Sequence, residues 1–249
     1  MKEDSQISDS RKAKTFWKWF AKDKSNYLFL DQVSQDEKGR LLDVFIKELH
    51  KYSENLYFEI GGDPKDEKVD LVITAEGVRE YFDTVEFLVD KAPKFKDWKV
   101  IAFKPPLGTG FKVKLGEHEF EPSKTMFIPL SSEEEPDGIG IKVCYPNFTE
   151  EEENIFTNGT FFMLDVILGE KSVALDIDYI DVVKTPEDLV KHPFMHLNEI
   201  KGYIDSKKES RKKVKNNSAK VQNFDRVYRK LWSSLKHLCA FHIMNIPLF

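Results

Sequence analysis

Apolar positions along this chain change their spacing several times, and each change marks an element. Over 34–56, "SQDEKGRLLDVFIKELHKYSENL", the residues Leu41, Leu42, Phe45, Leu49 and Tyr52 recur at helical spacing, with Ser34 or Asp36 placed to cap. "LYFEIGG" (56–62) then alternates Leu56, Phe58 and Ile60 against Tyr57 and Glu59, which is the period of a strand. "VDLVITA" (69–75) repeats that period, and the loop between them is broken by Gly61, Gly62 and Pro64. Beyond the turn "TAEG", Val78, Tyr81, Phe82, Val85, Leu88, Val89 and Ala92 form one helical face that ends at Pro93. "WKVIAF" (98–103) is nearly continuous apolar, as suits a strand buried on both faces.

The same order recurs further on. "KTMFIPL" and "GIGIKVCY" read as strands around the acidic turn "SSEEEPD". Residues 149–170 read as a helix with Thr149 as its N-cap and four glutamates in its first turn, where the helix dipole favours them. "SVALDIDYIDVV" (172–183) reads as the closing strand. The pattern predicts an α+β fold: a mixed sheet with helices packed on it, built from two ββαβ-like halves at about 55–104 and 124–183. Around it we expect a disordered N-terminus (1–10), a single domain over 11–205, a basic linker (206–223) and a C-terminal helical extension (224–249).

Charge sharpens this division. The net charge of −5 combines 27 Lys/Arg against 40 Asp/Glu in residues 1–201 with 11 against 3 in residues 202–249. An acidic body therefore carries a basic tail. Two cysteines, Cys144 and Cys239, make no disulfide framework and fit a reducing compartment. The polar N-terminus has no apolar leader core, and the longest apolar run is too short to span a bilayer, so the expected location is cytoplasmic and soluble.

The segments "FWKWF", "LYFEIGG", "LVITAEG", "APKFKDWKVIAFKPP", "GIGIKVCYPN" and "LGEKSVALDIDYIDVV" together resemble an uncharacterised family of small bacterial cytosolic proteins with no assigned activity, over about residues 16–208. The resemblance implies a single-domain protein and supplies no catalytic residues. The family pattern stops soon after a segment like "GYIDSKK", so residues 209–249 are an addition to it, and we expect the body to fold without them.

Candidate chemistry is sparse. "TAEG" has one glycine, no following Lys-Ser/Thr and a glutamate that would repel phosphate, so it reads as a corner rather than a phosphate cradle. If Ile60 faces Val69 across the first hairpin, Glu59 falls opposite Asp70, and such a pair could share a proton or hold a cation. Asp176 and Asp178 alternate on the last predicted strand and read as a solvated acidic face. His192 and His196 flank a proline, and His237, Cys239 and His242 lack a second ligand cluster, so no metal site and no cofactor is expected. Cys144 reads as an inert buried thiol. Within "FWKWF", Phe16, Trp19 and Phe20 share a helical face with Trp17 beside them. Trp17 and Trp19 are candidates for a partner or membrane surface, against the simpler expectation that they pack on the domain's own sheet.

The leading expectation is a non-enzymatic binding or regulatory domain acting through contacts with a protein partner. One alternative is an enzyme using the Glu59–Asp70 pair, and the other is a nucleic-acid or membrane-surface binder working through the basic tail. No specific nucleic acid and no transmembrane segment are expected, and 224–249 carries an apolar stripe suited to self-association.

Overall fold

The computed structural model describes residues 2–62, 66–131, 138–188 and 191–215. The expected extension at 224–249, its self-association, and His237, Cys239 and His242 lie outside the described residues. The chain divides into two compact units, one ending at Lys104 and one beginning at Pro105. The fold is α+β, with a three-stranded sheet in the first unit and a two-stranded and a four-stranded sheet in the second.

The first unit opens with α1 (Lys2–Asp23) and α2 (Gln35–His50). Residues 2–10, expected to be disordered, belong to α1. No glycine or proline interrupts the first 23 residues, and once packing fixes one turn each added residue gains a backbone hydrogen bond. Ser34 caps α2, its hydroxyl accepting the Glu37 N–H at 3.3 Å. There follow β1 (Tyr57–Gly61), β2 (Val69–Thr74), α3 (Phe82–Asp90) and β3 (Trp98–Ala102). β1 and β2 pair antiparallel, while β2 and β3 pair parallel around α3. The order β1-β2-β3 puts β2 in the centre, which is why Leu71, Val72, Ile73 and Thr74 are all buried rather than alternating. The core is an aromatic cluster centred on Phe45. Its ring stacks on Phe58 at 3.9 Å and meets Phe16, Trp19, Phe20 and Tyr27 at 5.3–5.8 Å.

In the second unit a hairpin of β4 (Val113–Leu115) and β5 (His118–Phe120) precedes β6 (Met126–Leu130) and β7 (Gly140–Tyr145). Then come α4 (Glu153–Leu168), α5 (Glu170–Asp176), β8 (Tyr179–Lys184), β9 (Met195–His196) and α6 (Ile200–Lys215). β6 and β7 are antiparallel and β7 and β8 parallel, so the ββαβ arrangement of the first unit occurs again. β9 adds to the free side of β6, giving the order β8-β7-β6-β9.

Three local expectations change here. Residues 172–176 are helical rather than part of a strand: Gly169, at φ 79°, ends α4 and starts α5, and Val173, Ala174 and Ile177 are buried at helical spacing. Asp176 therefore lies on a helix, where its carboxylate accepts from Ser172 Oγ at 2.6 Å and Lys208 Nζ at 2.8 Å. Thr149 makes no side-chain cap; a short 3₁₀ turn over Glu150–Glu152 leads into α4, and the Thr149 hydroxyl donates to Glu152 instead. Finally, α6 continues to Lys215, through the first part of the expected 206–223 linker. Arg211 on that helix donates to Asp178 at 2.5 Å, and the same carboxylate oxygen accepts from the Ile139 N–H at 2.8 Å. The basic spacing of α6 thus matches the acidic stretch before β8, which a reading by polarity alone does not show.

Candidate functional site

The "TAEG" corner lies at the carboxyl ends of the parallel pair β2 and β3, the edge where open α/β sheets commonly bind ligands. Thr74 ends β2 fully buried, and its Oγ1 accepts the Glu76 N–H at 2.8 Å, which folds the turn back on the strand. Glu76 then adopts φ 52° and Gly77 φ 77°, after which Val78 N–H closes on Ala75 O at 3.0 Å. Just past the end of β3, Phe103, at φ 67°, donates its N–H to Ile73 O at 2.8 Å.

This arrangement delivers Lys104 to Glu76. The lysine Nζ donates to Glu76 Oε2 at 2.6 Å, and Glu59 Oε1 reaches the same nitrogen at 3.7 Å from β1. The side chains are 13%, 8% and 21% exposed for Lys104, Glu76 and Glu59, so the contact is shielded from water and screening salt. A lysine held between two carboxylates is cationic and occupied, which suits it to fixing geometry rather than attacking a substrate.

The expected Glu59–Asp70 pair is not formed. Glu59 faces Val72, and Asp70 faces Gly61, a register two residues from the expected one. Glu59 turns instead to Lys104, while Asp70 has Lys99 Nζ at 3.8 Å. One carboxylate oxygen of Asp70 is buried without a hydrogen-bond partner. Burial raises its pKa, Lys99 partly opposes this and Asp66 adds to it. A folded-state pKa above the unfolded one means stability that is present below the unfolded value and lost as pH rises through the folded value. We therefore expect Asp70→Asn to raise the denaturation midpoint at about pH 7 and to leave it unchanged at about pH 3. Equal shifts at both pH values would show that the carboxylate's charge is not the cause.

Trp17 belongs to the core of the first unit and Trp19 lies at its margin. Trp17 is 3% exposed and its Nε1–H donates to Leu88 O at 2.8 Å, while Trp19 is half-buried against Phe45 and Tyr27.

One cluster was not anticipated. His118 on β5 is bracketed by Asn147 Nδ2 at Nδ1 and by Glu152 at Nε2, both at 3.0 Å, with its ring 4.7 Å from that of Phe156. The pairing assigns the proton to Nε2, facing the carboxylate, and makes Nδ1 the acceptor for the amide. His196 opens the turn into α6 through a reciprocal cap with Glu199. Cys144 is buried, and burial pushes its thiol up to about 11, which leaves it protonated and inert. Among the described residues no group of three His, Cys, Asp or Glu converges as metal ligands, and no helix is long and apolar enough to cross a membrane.

Comparison with protein families, with curated proteins and with solved structures finds no match to the chain.

Proposed function

We propose that this chain is a non-enzymatic binding module that engages a basic face of a protein partner through its second unit. The observation that carries the reading is where the acidity lies. Residues 1–104 hold 19 Lys/Arg against 21 Asp/Glu, whereas residues 105–215 of the second unit hold 14 against 21, with half of those basic residues on α6. Glu150, Glu151 and Glu153 stand exposed together where the chain turns into α4. A surface of one sign steers an oppositely charged partner and sets the salt dependence of its binding. The charged groups suited to chemistry are, by contrast, engaged in holding the fold: Glu59 and Glu76 on Lys104, His118 on Glu152 and Asn147, Asp178 on Arg211. A bacterial cytosolic setting agrees with the resemblance and the two cysteines.

The test is affinity capture with the full chain, crosslinking of what is retained, and the variant Glu150→Lys/Glu151→Lys/Glu153→Lys in parallel. A partner crosslinked beside α4, held by the wild type at about 0.15 M salt and lost by the variant, supports the proposal. A partner held equally by both would overturn the assigned surface. Turnover of any substrate that disappears in Glu59→Gln would overturn the non-enzymatic reading.

A further inference from the structure

Among the described residues, two that are not glycine take a left-handed backbone, Glu76 and Phe103. Each lies just beyond the carboxyl end of one strand of the parallel pair, Glu76 after β2 and Phe103 after β3, and both adjoin one contact. Glu76 is a member of the Lys104 ion pair, and Phe103 immediately precedes Lys104. The Phe103 ring lies 4.6 Å from that of Phe82, the first residue of α3.

A left-handed residue with a Cβ is disfavoured, and it persists where surrounding contacts over-determine it. Glycine or asparagine would satisfy φ 52° at position 76 more readily, yet neither could reach Lys104 as an anion. The chain thus keeps the strained choice whose side chain makes the shielded contact. We propose that the Glu76–Lys104 pair is a latch. It holds the turn from β2 into α3 in a strained closed form, and the turn opens when the pair is broken. Strain at Glu76 supplies the tendency to open, and the 2.6 Å contact opposes it. Since Phe103 packs on Phe82, the end of β3 and the start of α3 respond together. A group that competes for either charge releases the turn.

Comparing Glu76→Ala with Glu76→Gly in the full chain tests this. Both remove the ion pair equally, but only alanine keeps the backbone penalty. Amide exchange at Val78, whose N–H closes the turn on Ala75, reports opening, and exchange at Val72 in the central strand reports unfolding of the whole unit. For the latch, Val78 exchanges faster in Glu76→Ala than in the wild type, and about five- to thirtyfold faster than in Glu76→Gly, the ratio that the left-handed penalty corresponds to. Exchange no faster in Glu76→Ala than in the wild type overturns the proposal. Val72 differs less between the two variants. Failure of the alanine variant alone to fold is unfolding of the whole unit and counts against a local latch, as Val72 acceleration does. Equal Val78 exchange in the two variants, parallel acceleration of Val72, or failure of the glycine variant to fold overturns the proposal.

Discussion

Replacing Trp17 by alanine is expected to destabilise the first unit by about 3–5 kcal/mol, the usual cost of emptying a buried tryptophan site. The indole is buried within its own unit, beside Phe16 at 4.9 Å, Phe20 at 5.9 Å and Phe95 at 6.1 Å. Its N–H also ties α1 to the last turn of α3 through Leu88 O. Alanine removes that tie and leaves a cavity that a cage of aromatic rings, themselves edge to face, cannot collapse to fill. Leu88 O keeps the Lys91 N–H at 3.2 Å, so the lost volume matters more than an orphaned carbonyl. Trp17→Phe separates the two contributions: it retains most of the volume, loses the hydrogen bond, and should cost about 1–2 kcal/mol. Urea denaturation of the three proteins measures both. A Trp17→Ala protein as stable as the wild type would place the side chain at a surface and revive the membrane or partner reading of "FWKWF".

That motif was legible in part, because a helix with three aromatics on one face must bury them; the buried ones are Phe16, Trp17 and Phe20, whereas Trp19, expected on that face, is only half-buried. The two ββαβ series were legible for a similar reason. The apolar runs "VDLVITA" and "WKVIAF" announce β2 and β3 as strands, but burial on both faces was expected of the wrong one. β2 is central, while β3 lies at the edge of the sheet with Lys99 exposed and Val100, Ile101 and Ala102 only half-buried. Register was not legible, because a loop containing Gly62 and Pro64 can absorb two residues without moving any side chain to the other face. The shift left Glu59 on its expected face and removed Asp70 from it as an opposite neighbour. Lys104 was missed because its partner is 28 positions away, although two parallel strands that each run from an apolar segment into a charged residue bring those residues together. α5 was misread because "VALDI" satisfies both periods, and Gly169 was the signal that decides between them. The strands of the β4–β5 hairpin have three residues each, too few for alternation to stand out. Arg211 and Lys208 were assigned to a linker because a helix with one modest apolar stripe looks polar until its acidic partners at Asp176 and Asp178 are placed.

Gly159→Ala is expected to destabilise the second unit, against the general rule for helices. In an exposed helix interior that substitution stabilises by about 1 kcal/mol, because alanine loses less backbone freedom on folding. Here a Cβ at position 159 on α4 would stand 2.4–2.6 Å from three ring carbons of Phe120. The ring is 1% exposed and fixed edge-on by Tyr145 at 5.7 Å and Phe156 at 5.9 Å, so it cannot rotate away. Either α4 lifts from the β4–β5 hairpin or Phe120 leaves its rotamer, and overpacking of this kind costs about 1–3 kcal/mol. Contacts this far inside 3.0 Å put the cost in the upper part of that range, about 2–3 kcal/mol, so after the helix gain the expected net loss is about 1–2 kcal/mol, a fall of about 2–8 °C in melting temperature. The double variant Gly159→Ala/Phe120→Leu identifies the cause. Leucine vacates the space the new methyl needs, so the pair should lose less stability than the two single losses added together, with a coupling of about 0.5–3 kcal/mol. A Gly159→Ala protein that melts at or above the wild-type temperature would mean that α4 does not lie against Phe120 in solution, and the packing of that hairpin beneath the helix would have to be redrawn.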